Sequence, residues 1–266
     1  MGMQKKIFYF SGNEKKTNIT ILLENLFYQK KLEKQQPLFV ESEKDFFLTS
    51  TARTKKKGKS YRLFDLNPDL EVMSIPLDKL KALAAGKKQG ELAGIDDQFT
   101  DVYLSGDCSA ESIPMISVCD YLVLLVRNDI YATGYLYNIM KLFKKYSLAK
   151  KIVIIISDVK RIEEAGAIFL SYVNELKKML PEGGDLVFGG YFSLDIKRLV
   201  YSAQRREPLV KTFPGCTMHG TIKYIDRMIS GLETYFHDLP PLIAIASALN
   251  KVPDAAEAGN GASPGS

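Results

Sequence analysis

FYFSGNEKKTNIT, residues 8–20, is the stretch whose reading decides the fold. An apolar run ending at Phe10 gives way at Ser11 and Gly12 to a polar turn. From Thr17 onward Ile19, Leu22, Leu23, Leu26 and Phe27 recur at helical spacing, with Glu24, Gln29, Lys30 and Lys31 off that stripe or at its end. A strand leading into a core-facing helix is the unit from which parallel α/β sheets are built. The same turn ends in Lys16-Thr17, which match the close of the phosphate-loop pattern GxxxxGK[ST]. Such a loop turns backbone N–H groups toward an anion. It needs glycine where the chain must approach closely, a lysine for the β- and γ-phosphates and a hydroxyl for Mg²⁺. Lys15 stands where the second glycine belongs and Phe10 where the first does. Two readings stay open: a phosphate loop stripped of glycine, or a plain strand-to-helix connection.

Outward from this unit the alternation continues. Short runs rich in Val, Ile, Leu, Tyr and Phe predict strands over 6–10, 37–41, 101–105, 121–126, 152–157 and 186–191. Segments of helical period predict helices over 17–31, 133–146, 162–180, 195–204 and 217–235. Pro181, Gly183 and Gly184 stop the third of these helices. The expected fold is α/β: one doubly wound, mainly parallel sheet with helices on both faces. Residues 45–66 alternate apolar and polar positions on either side of Lys55-Lys56-Lys57-Gly58, which predicts a β-hairpin with a basic tip projecting from the sheet. Residues 239–252 form a further apolar segment, and 253–266, almost without large apolar residues, read as a disordered tail.

With 266 residues and 46% hydrophobic composition the chain can bury one large core. Its net charge of +5 permits contact with an anionic surface but does not reach the level of a dedicated nucleic-acid domain. Cys108, Cys119 and Cys216 form no CxxC pair, and with only His219 and His237 no zinc spacing can be assembled. The apolar run at 7–10 is too short for a signal-peptide core, and no run approaches the length of a membrane span. A cytoplasmic location is expected.

Three stretches together carry a family resemblance. SGNEKKTN, residues 11–18, laid on KGGxGKT[TS], matches at Gly12, Lys16 and Thr17. Ser11 replaces the signature lysine, and Asn13 and Lys15 replace glycines. The segment from Ile116 to Lys145 has a run ending in Asp120, a buried strand and a helix. The segment from Gly189 onward places Gly190, Asp195, Ala203, Pro208 and Pro214 at the intervals of the pattern G-x-I-P-x-D…A…G-x-P…P. Over about residues 4 to 235 the chain resembles the deviant Walker-A ATPases of the MinD/ParA group, with residues 1–238 as the domain and 45–66 as an insertion.

The resemblance implies a nucleotide site built from Gly12, Lys15, Lys16, Thr17, Glu43 and Asp107, with Thr17 and Asp107 holding Mg²⁺ if ATP or ADP binds. No cofactor at all is the other outcome, and no catalytic residue can be assigned. Glu41-Ser42-Glu43 replaces a D-x-D motif. The Mg²⁺-supporting Asp falls at Gly106 or Asp107, the adenine-reading Asn at Ser157 or Asp158, and the usual Pro before Asp195 at Ser193-Leu194. So much drift implies a bacterial, cytoplasmic regulatory or scaffold protein with a degenerate site and no efficient ATPase activity. Its expected work is positioning a flagellum, pilus, division site or DNA cargo through protein partners, with a homodimer among the implied assemblies. A divergent working ATPase and a DNA- or anion-binding module without nucleotide are the alternatives. DNA contact would use Lys141, Lys144, Lys145, Lys150, Lys151, Lys197, Arg198, Arg205 and Arg206, although a solvated basic face is the plainer reading. Residues 239–252 carry only Lys251 as a cation. They favour packing on the domain or a partner over peripheral membrane contact.

Overall fold

The computed structural model describes residues 6–13, 16–35, 37–42, 53–57, 62–67, 70–75, 101–148, 151–180, 186–205 and 207–231. Strand β1 (Lys6–Gly12) leads to α1 (Lys16–Leu32), β2 (Leu38–Ser42), β3 (Arg53–Lys57), β4 (Arg62–Asn67), β5 (Leu70–Ile75) and β6 (Asp101–Ser105). A 3₁₀ turn (Ala110–Ser112) and α2 (Ile113–Val118) precede β7 (Tyr121–Arg127), α3 (Ala132–Lys145), β8 (Lys151–Ser157) and α4 (Ile162–Met179). The described chain closes with β9 (Leu186–Phe192), α5 (Ile196–Arg205), α6 (Leu209–Thr212) and α7 (Thr217–Ser230).

Among the described residues the sheet has nine strands in the order β3-β4-β5-β2-β6-β1-β7-β8-β9. From β5 to β9 every pairing is parallel. Strand β1 lies between β6 and β7, and the chain passes over it from one side to the other. Their carboxyl ends therefore flank the crevice where open α/β sheets bind ligands.

Alternation along each strand divides the core in two. Tyr9, Leu122, Leu124, Ile154 and Ile156 point to the face covered by α2, α3 and α4. Phe8, Phe10, Val123, Leu125 and Val153 point to the face of α1, α6 and α7. On the second face the Phe8 ring stacks on Tyr103 at 5.1 Å and on Tyr121 at 5.3 Å, so aromatic contact spans the three central strands. Gly190 adopts φ +115°, and a Cβ there would meet the Tyr224 ring at 2.9 Å; this glycine lets α7 lie close on β9.

The expected hairpin is present but differently placed. β3 and β4 pair antiparallel, yet Lys55, Lys56 and Lys57 lie within β3 rather than at the tip. β4 then pairs with β5, which joins β2 in parallel, so these strands extend the main sheet instead of projecting from it. The LEVMSI run of β5 supplies the missing connection. As an edge strand, RTKKK is suited to blunting further pairing, because its cationic sequence resists addition of another edge. Residues 45–52 and 58–61 of the expected hairpin lie outside the described residues, as do 239–252 and 253–266.

Two buried polar clasps fix α1. Asn25 Nδ2 donates to the Ile21 carbonyl (2.7 Å) while its Oδ1 accepts the Val210 N–H (2.9 Å), tying α1 to α6. Lys30 Nζ lies 2.8 Å from Asp226 Oδ1 and donates to Ser230 Oγ at 2.8 Å, tying the end of α1 to α7. Burial raises the Asp226 carboxyl pKa above 3.8, opposed by Lys30 and reinforced by Glu33. Because the native carboxyl holds its proton to higher pH than the unfolded one, this group subtracts stability as pH rises from about 4 through its folded value.

Replacing Lys30 by Met should cost about 3–5 kcal/mol by stranding the buried carboxylate, and Lys30→Met with Asp226→Leu should recover most of it. Urea unfolding between pH 4 and 8 checks this: the single variant should lose stability with rising pH more steeply than the parent, and the double variant should not.

Candidate functional site

The carboxyl ends of β1, β6, β7 and β8 meet where α1 begins. β1 stays in register with β7 through Ser11↔Leu124 and Gly12↔Leu125, so only residues 13–15 remain to turn the chain into α1. A Cβ on Gly12 would meet the Leu125 carbonyl oxygen at 2.1 Å. This glycine is required by close strand packing, whatever else it does. Lys16 and Thr17 form the first turn of α1, where unpaired N–H groups and the helix dipole favour an anion. Lys15 and Glu43 lie outside the described residues.

Asn13 bridges the turn to the next strand. Its Oδ1 accepts the Arg127 N–H at 2.7 Å, and its Nδ2 is buried with no hydrogen-bond partner. The Arg127 side chain pairs with Asp158 (2.9 Å), both being about half exposed at 51%. Asp158 has φ +61°, a left-handed conformation that Asp tolerates better than most residues, and its N–H donates to the Phe192 carbonyl at 3.1 Å. Of the two candidate base-reading positions, Ser157 is buried and Asp158 is engaged by Arg127.

After β6, Gly106 still bonds to β1 through its N–H to the Phe10 carbonyl (3.1 Å). Asp107 is the first carboxylate past that contact. It is exposed, and its Oδ1 accepts the hydroxyls of Ser112 (2.7 Å) and Ser109 (3.3 Å). The Tyr9 hydroxyl donates to the Asp107 carbonyl at 2.8 Å, so the core tyrosine holds this loop.

Ser11 is only 1% exposed. It faces the Cys108 thiol and the Tyr135 phenol under α3, where the Tyr135 hydroxyl still lacks an aligned partner. Burial pushes Cys108 up to about 12, with the Ser11 hydroxyl pulling the other way. The sulfur is therefore a protonated thiol at neutral pH and no nucleophile. Among the described residues no group of three or more His, Cys, Asp or Glu is placed to hold a metal ion. No helix of the described residues is long and apolar enough to cross a membrane.

The structure thus groups Gly12, the start of α1 and Asp107 at one end of the sheet. Sequence reasoning missed Asn13 as a clamp and the Arg127–Asp158 pair. Each lies just past an apolar run, at the point where strands end and side chains reach across to neighbours.

No family model matches the sequence, and no curated protein matches it. Solved structures do match. The MinD cell division protein of Aquifex aeolicus superposes with TM-score 0.61 at 14% identity, covering 85% of this chain and 97% of that one. The chain has the MinD/ParA fold. The pNOB8 ParA bound to nonspecific DNA gives TM-score 0.58 at 10% identity, with coverage of 87% and 99%. A Cyanothece McdA variant in complex with ATP gives 0.52 at 15% identity, with coverage of 87% and 98%. On this fold the chain runs from β1 into α1 within a few residues of Gly12.

Asn13→Ala should cost about 0.5–1.5 kcal/mol through loss of the Arg127 acceptor, and faster amide exchange at Arg127 would report it. Iodoacetamide at pH 7.5 should modify Cys108 about a thousandfold more slowly than a free thiol, with the rate still rising above pH 9. Mass spectrometry of the modified peptide reads the outcome.

Proposed function

We propose that the chain is a MinD/ParA-like regulatory or scaffold protein that acts through protein contacts in the spatial positioning of a cellular structure, with a nucleotide site that binds weakly and turns over poorly. One observation carries this reading: Ser11, at the position where the resemblance calls for the signature lysine, is a buried hydroxyl packed against Cys108 and Tyr135. Phosphoryl transfer depends on cations placed where charge develops on the transferred group. A neutral side chain sealed beneath α3 provides none.

The turn retains features that suit a phosphate. The amino end of α1 offers backbone N–H groups, and Asn13 Nδ2 is an orphaned buried donor beside it. Gly12, Lys15, Lys16 and Thr17 would hold ATP or ADP, with Thr17, Asp107 and Glu43 nearest in role to Mg²⁺ ligands. Bound nucleotide would supply charge and a reason to order the turn. Asp107 would have to share its carboxylate with Ser109 and Ser112, which weakens its service to a metal. The engagement of Asp158 by Arg127 likewise sets an electrostatic cost on using that position to read a base. The ATP complex of McdA and the DNA complex of pNOB8 ParA belong to those proteins; they show that chains of this fold bind such ligands and assign none to this one.

Equilibrium binding of a fluorescent ATP analogue with and without Mg²⁺, beside a hydrolysis assay at high protein concentration, tests the reading. Weak binding that Lys16→Ala reduces at least about tenfold is expected, with turnover far under the ordinary enzyme rate of about 1 per second. Lys15→Gly should tighten binding in a Lys16-dependent way, since glycine frees the turn for close backbone approach. Turnover near 1 per second lost in Lys16→Ala would identify a working ATPase. Absence of binding in both the parent and Lys15→Gly would remove nucleotide from the function altogether.

A further inference from the structure

Helix α5, Ile196–Arg205, is attached to the domain by one edge. Ser202 is buried and Leu199 half-buried against the body, while Ile196 is 71% exposed, Val200 53% and Tyr201 45%. The helix contains Lys197, Arg198 and Arg205 and no acidic residue. On one flank the side chains form a continuous stack. The Arg205 guanidinium lies over the Tyr201 ring at 4.9 Å, Tyr201 meets Phe213 at 5.5 Å, and the Arg198 guanidinium lies over Phe213 at 5.7 Å. Arg198 is shared with Asp195, at 3.5 Å. Among the described residues no carboxylate pairs with Arg205.

We infer that α5 and its arginine–aromatic stack form a docking surface for an acidic amphipathic helix of a partner protein. Ile196 and Val200, one turn apart on the same side, would receive its apolar stripe, and Lys197 and Arg205 would receive its carboxylates. Arginine, tyrosine and aliphatic side chains in one small patch have the composition of a protein interface core. Stacking against the rings holds two guanidinium groups in place before a partner arrives, which lowers the ordering cost of binding. A nucleic-acid backbone would satisfy the cations but leave Ile196 and Val200 in water. A lipid surface would need a longer apolar face than this short helix presents. The surface is built from the side chains of α5 and from Phe213, and no nucleotide enters the inference.

The test uses the full chain and a labelled Glu/Leu amphipathic peptide of about five turns, followed by fluorescence anisotropy. Controls are a scrambled peptide of the same composition, a Lys/Leu counterpart, a DNA duplex and phosphatidylglycerol vesicles. The Glu/Leu peptide should bind, and Val200→Ser and Arg205→Glu should each weaken it at least about tenfold. Unchanged thermal melting of these exposed-site variants shows that the fold is intact. Arg205→Glu should bind the Lys/Leu peptide better than the parent does. Affinity should be the same with and without ATP and Mg²⁺, so failure of the nucleotide reading and failure of the docking surface are separately visible. Absence of peptide binding, equal binding of the scrambled peptide, or DNA or vesicle binding that Val200→Ser leaves untouched overturns the proposal. Self-association lost in Arg205→Glu, read by sedimentation, also overturns it by making a second copy the occupant.

Discussion

The contact at Gly12, where the backbone of β1 comes so close to the Leu125 carbonyl that no side chain fits, governs the end of the sheet at which the candidate site lies. It keeps β1 paired with β7 to its last residue and sets how little chain is left before α1 begins. Asn13 is thereby delivered to the end of β7, where it takes the Arg127 N–H. Arg127 in turn reaches Asp158 at the end of β8. The rim of the crevice is thus a chain of polar contacts laid from strand to strand, each made available by the ladder beneath it. A glycine that looks like the relic of a phosphate loop is held in place by sheet geometry, independently of any ligand.

Burial explains the peculiar chemistry of this rim. Ser11, buried, and Cys108 and Tyr135, partly buried, share a site under α3 where the thiol and the neighbouring Tyr9 and Tyr135 phenols stay protonated. A lysine at position 11 would have to bring its charge into that site or force α3 outward. The residue at position 11 is therefore coupled to the packing of α3 on that face of the sheet.

Most of the fold was legible because it rests on periodicity. The runs around Phe8, Leu124 and Ile154 and the stripe of Leu22, Leu23 and Leu26 are long and apolar, and these four elements agree with their expected spans to within two residues, while the helix expected over 217–235 is described as Thr217–Ser230. β5 escaped notice because LEVMSI mixes a charge and a serine into its run, and because its partner β2 is far away in sequence. The short helices α2 and α6 span too few residues for a helical stripe. The candidate site was legible only as a set of residue types at matching positions. Which carboxylate follows β6, whether position 157 or 158 faces the crevice, and that Asn13 turns toward Arg127 all depend on where a strand stops pairing. That stopping point is a property of neighbouring strands, and no local pattern encodes it.

The buried Lys30–Asp226 pair gives α1 a mechanical character. The helix is a rod of about 25 Å at 1.5 Å per residue, tied near its middle to α6 by Asn25 and pinned at its far end to α7 by Lys30. Sliding the rod along its axis would tear a charge from its counter-charge in a dry interior. Tilting it about that pivot leaves the pair intact but breaks the bond from the Val210 N–H to Asn25. Any push at the first turn of α1 is consequently resisted along the axis by the Lys30–Asp226 pair and across it by the Asn25 bond to Val210.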